Sequence, residues 1–356
     1  MRILHICQFL GVGGLEQVLF LLAKEQINQG HSVELCVYDH DRRWVEKFEL
    51  AGVKVHKKIQ KKPGIDLSLL KKFKPLIDNA EIVHTHDLNP GFYLSLYRLR
   101  YRARRKTFKF IHTTHGMEHI QEEPKTRIFE AILGIMADRI LTVSPKFQQF
   151  YQNQVFTKFG KVKLIENGTE IDKRQNYPKP KRLLDDLGLS PSLPVALYIA
   201  RVVPLKGQLE MIEIYRKLNH QLLLVGPSGN DQYLSKCKTD LPSHIKFLGN
   251  RDDINDLIDL SDYYISHSFH EGLPISVLEA GARNKPCLLY DIPGHSQFNH
   301  HKNCVLLFDS QNFESKLQEL MNSRTELTRN FFDLIEAQYS SKAMTNKVLK
   351  SYEVQT

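Results

Sequence analysis

No apolar run in the sequence approaches the roughly 18–20 residues that span a bilayer. Nothing near its start has the apolar core and small-residue cleavage site of a secretory leader; Met1 to Phe9 reads instead as a strand followed at once by glycines. Cysteine is sparse: Cys7, Cys36, Cys237, Cys287 and Cys304 are odd in number, scattered and mostly set in apolar stretches. That argues against a disulfide scaffold and for a reducing cytoplasm. Gly and Pro, at 19 and 15 residues, are not in excess, which excludes collagen-like and low-complexity chains. No repeat is visible at the 20–50-residue periods of solenoids.

What is present is a chain of 356 residues, enough for two domains. Its charge is uneven. Residues 1–180 carry 30 Lys and Arg against 19 Asp and Glu, and the remainder 19 against 21. The basicity belongs to the first half, which is expected to meet something acidic: anionic lipid, a phosphorylated substrate or nucleic acid. A solubilising charge excess is the plainer alternative.

Short β-rich apolar runs alternate with longer amphipathic stretches. In the first half they are Arg2–Phe9, Ser32–Tyr38, Glu81–His84, Phe108–Thr113, Arg139–Val143 and Lys161–Ile165. In the second they are Val195–Ala200, Gln221–Val225, Ile245–Leu248, Tyr263–Ser266, Pro286–Tyr290 and Cys304–Phe308. The runs are continuous rather than alternating, as in parallel sheets covered by helices on both faces. The pattern predicts an α/β protein of two Rossmann-like, doubly wound domains. A polar stretch with two prolines, residues 173–182, reads as the linker between domains at 1–172 and 183–325. Residues 326–356 are helical in pattern and are expected to pack back on the first domain.

Ligands of open α/β sheets bind at the carboxyl ends of strands, so motifs should follow strands. Gly11-Val12-Gly13-Gly14 follows the first and precedes a helix. Glycines there let backbone amides approach a phosphate. The spacing is not the dinucleotide fingerprint, and a plain strand-to-helix turn uses similar residues. His84 and His86 are placed after one strand, with His112, His115 and His119 around another. Alternation would turn His112 and His115 opposite ways, and no Cys or carboxylate completes a tetrahedral set, so a zinc site is not expected. Asp39-His40-Asp41 has the spacing of a metal-binding pair of aspartates but lies in the first half. His115, at a strand end, is the better candidate for a functional histidine.

Asn167-Gly168 follows the last strand of the first half and by itself marks a turn. In the second half Arg201 ends a strand and Lys206 follows five residues later, a planar fork and a compact charge suited to a diphosphate. His270-Glu271-Gly272-Leu273-Pro274 then leads into a helix that carries Glu279, and Pro274 suits its start. Carboxylates aimed at a cleft are natural acceptors for sugar hydroxyls, although either glutamate alone could pair with a lysine.

With these residues in place, essentially the whole chain resembles a GT-B glycosyltransferase of family 4, the retaining group that uses nucleotide-diphosphate sugars. Glu271 and Glu279 match its signature of two glutamates with seven residues between them. The resemblance implies two domains facing across a cleft, with the donor on the second and the acceptor on the first. It implies catalytic roles for His115, Arg201, Lys206 and Glu271. It also implies substrate contacts from Gly13, Gly14, Asn167, Gly226, Gly249, Gly272, Leu273 and Glu279. Arg201 and Lys206 would hold the diphosphate, Glu279 the ribose, Glu271 the sugar hydroxyls, and His115 would face the donor sugar. No metal or other cofactor is implied. The expected activity is hexosyl transfer, from a UDP-sugar by preference, to a lipid-linked or phosphorylated saccharide in bacterial envelope polysaccharide assembly. A nucleotide-sugar 2-epimerase and a catalytically silent, partner-binding subunit are the alternatives. Arg98, Arg100, Arg102, Arg104, Arg105 and Lys106, interleaved with tyrosines, and a lysine tract over residues 57–74, are expected to dock the protein on the inner membrane face. No nucleic-acid partner is expected.

Overall fold

The computed structural model describes every residue except 12, 40–42, 102–107, 116–125, 154–159, 172–177, 301 and 354–356. The chain divides into two units, Met1–Gly168 with Ser341–Thr356, and Thr169–Ser340.

Among the described residues the first unit carries seven parallel strands: β1 Arg2–Cys7, β2 Ser32–Val37, β3 Lys54–His56, β4 Ile82–His86, β5 Lys109–Thr114, β6 Arg139–Thr142 and β7 Val162–Leu164. Their order is β3-β2-β1-β4-β5-β6-β7. The second carries six: β8 Val195–Ile199, β9 Gln221–Val225, β10 Ile245–Gly249, β11 Tyr263–Ser266, β12 Cys287–Tyr290 and β13 Leu306–Phe308, in the order β10-β9-β8-β11-β12-β13. Every pairing is parallel. Both are doubly wound sheets, and each reverses direction beside its first strand, between β1 and β4 and between β8 and β11.

The central strands are buried on both faces: β4 and β9 throughout, and β1 except for its first residue. A strand wrapped this way must read as a continuous apolar run, which makes the central strands visible in the sequence; twelve of the thirteen coincide with the apolar runs above. The thirteenth, β3, is a three-residue edge strand with Lys54 exposed, so it has no such run. All five cysteines are free and buried.

The unit boundary falls at Gly168/Thr169, ahead of the polar stretch read as a linker, whose last residues already form the helix Lys181–Asp186. The terminal segment is divided. The helix Arg324–Leu334 and the π-helical turn Ile335–Tyr339 belong to the second unit, with Leu327, Phe331 and Ile335 in its core. Only the helix Ser341–Tyr352 rejoins the first unit, where it packs on the helix Gly14–Asn28. Among the described residues no helix is long and apolar enough to cross a membrane.

Candidate active site

In the second unit the loops after β8 and β11, at the sheet's switch point, are tied together by a short polar chain. Tyr198 of β8 is buried, and its hydroxyl donates to the Lys206 carbonyl at 2.5 Å and lies 3.0 Å from Ser268 Oγ. Ser268 Oγ donates to Glu271 Oε1 at 2.7 Å, and Lys206 Nζ donates to the same oxygen at 2.5 Å. The Phe269 amide donates to the Leu205 carbonyl at 3.0 Å, which locks the two loops backbone to backbone. The Lys206 and Glu271 side chains are 18% and 17% exposed. Their ion pair is therefore shielded enough to count for more than a surface pair, yet open on one side. An ammonium has three N–H donors, and the one aimed at Glu271 leaves two to meet an anion.

The walls of the site are backbone-tight. Gly226, at the tip of β9, has φ +142°, and a Cβ there would lie 2.1 Å from the Ala200 carbonyl oxygen. Only glycine fits, and its amide donates to the Gly249 carbonyl at 2.8 Å. Arg201 lies two residues beyond β8, with its aliphatic stem over Gly229. Gly294 abuts the Glu271 backbone, where a Cβ would be 2.5 Å from the Glu271 carbonyl oxygen. Gln297 Nε2 donates to the Gly272 carbonyl at 2.8 Å. Leu273 is half-buried against the core, and Glu279 sits on the helix Ile275–Ala282 that follows.

In the first unit the expected phosphate loop differs from expectation. Gly13 is extended, and the helix Gly14–Asn28 starts as predicted. Glu16 in its first turn folds back, however, and Glu16 Oε1 accepts the Gly11 amide at 3.0 Å. A carboxylate thus occupies part of the cradle that the glycines were expected to offer to phosphate. Asn167 is buried beyond β7 in this unit.

The histidines also sit differently. His84 and His86 lie within β4, not after it, and His112 lies within β5. Alternation separates them into two faces. His112 points with Thr85 and Thr114, at 2.9 and 3.1 Å. His5, His84, His86 and His115 share the other face. His5 Nδ1 is 2.9 Å from His86 Nε2, and His86 Nδ1 is 3.1 Å from His115 Nε2. The His115 amide donates to Asp87 Oδ1 at 3.0 Å. Burial pushes the pKa of all four downward, that of His5 to about 4, so they are neutral imidazoles at neutral pH. His5, His84 and His86 bring one ring nitrogen each within 4.8 Å of the others. Both nitrogens of every one of these rings already have hydrogen-bond partners, so the cluster is a hydrogen-bonded chain, not a set of lone pairs converging on an ion. His119, Gly116, His40 and Asp41 lie outside the described residues.

Residues 12–173 match Glycosyltransferase Family 4, and residues 182–333 match Glycosyl transferases group 1. The chain belongs to the GT-B glycosyltransferases of family 4 and group 1. Among its relatives is an Escherichia coli UDP-Gal:alpha-D-GlcNAc-diphosphoundecaprenol alpha-1,3-galactosyltransferase, 23% identical over 81% of this chain and 78% of that one. Another is the Staphylococcus aureus capsular polysaccharide biosynthesis glycosyltransferase CapH, 24% identical over 89% and 87%. Of solved structures, Anabaena HepE in complex with UDP and glucose superposes with a TM-score of 0.82 at 18% identity over 99% of both chains. WaaG, a glycosyltransferase involved in lipopolysaccharide biosynthesis, gives 0.72 at 14% over 100% of both.

The basic patch expected of this glycosyltransferase needs a correction. Arg98 is no surface residue. It is buried, pairs with Asp138 at 2.5 Å, and donates to the carbonyls of Met136 at 2.6 Å and Phe108 at 3.2 Å. Tyr97 beside it is buried too. Arg100 is exposed in the last turn of its helix, with its guanidinium 6.0 Å from the Tyr101 ring centre. Arg102, Arg104, Arg105 and Lys106 lie outside the described residues. Sequence reasoning also missed residues that shape the loops around Glu271 in this glycosyltransferase: Ser268, Gly294 and Gln297. Ser268 and Gln297 are common polar types with no spacing signal. Gly294, after Pro293 at a strand end, was the one that could have been found.

Proposed function

We propose that this glycosyltransferase is a retaining hexosyltransferase that uses a UDP-sugar and glycosylates a lipid-linked or phosphorylated saccharide in bacterial envelope polysaccharide assembly. The observation that carries the reading is the Lys206–Glu271–Ser268 cluster at the switch point of the second sheet. It sets an ammonium donor and a carboxylate side by side, as transfer from a sugar diphosphate needs, and Arg201 stands five residues before Lys206 in the same loop. The activity of the Escherichia coli relative and the UDP bound in HepE support the donor class.

In this reading the bond between the anomeric carbon and the diphosphate oxygen breaks, and the acceptor oxygen bonds to that carbon on the same face. The acceptor's proton passes to the departing phosphate. Arg201 and Lys206 stabilise the negative charge that gathers on the leaving group. Glu271 accepts hydrogen bonds from the sugar, Glu279 from the ribose, and the peptide groups around Gly226, Gly249, Gly272 and Leu273 line the pocket. Within the first unit, His115, Gly13, Gly14 and Asn167 are the candidates for substrate contact. No resident metal or cofactor takes part.

A thermal-shift panel of UDP-, GDP- and ADP-sugars tests the donor. A ligand held at 100 times its dissociation constant adds about 2.7 kcal/mol of stability. A rise in melting temperature with UDP-sugars alone is expected; a rise with GDP- or ADP-sugars alone would replace the base, and none at all would remove the donor assignment.

We place the protein on the inner face of the cytoplasmic membrane. Lys58, Lys62, Lys71 and Lys72 are exposed, and Ile65 and Leu67 between them are 64% and 57% exposed. Basic residues around exposed apolar ones suit an anionic lipid surface, at about 1 kcal/mol per basic residue. Sedimentation with phosphatidylglycerol vesicles at low salt should capture the protein, and near 1 M salt should release it as the screening length falls to about 3 Å. Equal recovery with neutral vesicles would refute the electrostatic docking.

A further inference from the structure

His115 ends a continuous buried chain that begins on the helix Ser341–Tyr352. Gln26 Nε2 donates to the Tyr352 hydroxyl at 3.1 Å, which turns Gln26 Oε1 toward His5 Nε2 at 2.8 Å. His5 Nε2 must then carry the proton, and His5 Nδ1 must accept. The donor opposite it, at 2.9 Å, is His86 Nε2. His86 Nδ1 must accept in its turn, and the donor is His115 Nε2 at 3.1 Å. The Tyr352 proton is spent on His84 Nδ1 at 2.8 Å, and His84 Nε2 donates to Thr113 Oγ1 at 2.7 Å. Each neutral ring has one donor and one acceptor, so the orientation of one amide dictates the tautomer of all four histidines.

We propose that Gln26 and Tyr352 are positioning residues for His115: through His5 and His86 they hold its proton on Nε2 and leave Nδ1 as an acceptor for a substrate hydroxyl. This rests on the reading that His115 takes part in transfer. Three features make the chain effective. Gln26, His5, His84 and His86 are buried to within 1% of complete, so water does not substitute for a missing member. The imidazoles are neutral, because burial and their mutual repulsion disfavour charge, and a charged ring would have no acceptor and would break the sequence. Finally, the ring of His115 is held from two sides, by His86 and through its own amide by Asp87, whose carboxylate raises its pKa against the burial effect.

The test reads the tautomer directly, in the full-length protein labelled with 15N-histidine. Two-bond 1H–15N correlation spectra distinguish Nε2–H from Nδ1–H rings, and His115→Ala supplies the assignment. The wild-type His115 is expected as Nε2–H. In Gln26→Leu it should become a mixture of tautomers, with kcat lower by roughly tenfold and KM little changed, as expected of a group that orients without binding. Tyr352→Phe removes one hydroxyl only and should move both readouts in the same direction by less, which covers the case in which Gln26→Leu does not fold. Nδ1–H in the wild type overturns the proposal, as does an unchanged tautomer in either folded variant. Full activity in His115→Ala would instead remove the catalytic reading of His115 and leave the tautomer measurement to judge the chain.

Discussion

Replacing Lys206 by methionine is expected to lower kcat/KM by about two to three orders of magnitude, the usual cost of removing one donor from a developing negative charge. Methionine keeps the length and most of the packing of the lysine stem, so the change is chiefly one of charge. Glu271 keeps its hydrogen bond from Ser268, and the backbone lock from Phe269 to Leu205 is untouched. The melting temperature should therefore fall by only a few degrees. Lys206→Arg should recover only part of the rate, because a planar fork does not reproduce a compact ammonium that, in the proposed role, would meet Glu271 and phosphate at once. Initial rates with a UDP-sugar and the matched melting curves decide the matter. A Lys206→Met enzyme within threefold of wild type would end the assignment of this residue to the leaving group.

The second large effect is on stability. Arg98→Met should destabilise the first unit by about 3–5 kcal/mol, the cost of leaving one partner of a buried ion pair behind. Asp138 would lose both guanidinium contacts and keep only the Phe110 amide, at 2.8 Å. The carbonyls of Met136 and Phe108 would lose their donor as well. For a unit of this size, each kcal/mol is worth about 2–4 °C, so the melting transition should drop by roughly 6–20 °C. Arg100→Ala, two residues on and exposed, should move it hardly at all. Calorimetry on the two variants separates the roles, and equal melting temperatures would return Arg98 to the surface patch.

That pair of arginines shows what the sequence could and could not convey. Tyr97 to Lys106 reads as a basic, aromatic surface because charge type is visible and burial is not. The helix Leu88–Tyr101 turns Arg98 inward toward an aspartate forty residues away, and no local spacing announces such a partner. The sheets were legible for the opposite reason. A strand covered on both faces must be apolar along its whole length, whereas the edge strand β3, Lys-Val-His, has one apolar residue and escaped notice. Lys206 and Glu271 were legible as members of a spaced motif, but their direct contact was not, since it depends on how two loops 65 residues apart meet at the sheet's switch point. The histidines show the same division. Their number and rough position could be read, whereas their ordering along one face came from the register His5 to His84 and His86 to Thr113. Glu16 beside the glycines was in plain view, and its folding back onto Gly11 was not.

The return of Ser341–Tyr352 to the first unit bears on the order in which the protein matures on the ribosome. Domains of a growing chain ordinarily fold from the amino end onward. Here the second unit is one uninterrupted stretch, Thr169–Ser340, whose ends are joined by a bridge between Thr169 and Ser340. It can close as soon as it emerges. The first unit begins earlier but waits for Tyr352, whose hydroxyl meets Gln26 and His84 and whose carbonyl accepts from Lys109 Nζ at 2.8 Å. The half that is made first is therefore finished last, and until then its imidazole chain lacks the hydroxyl that terminates it.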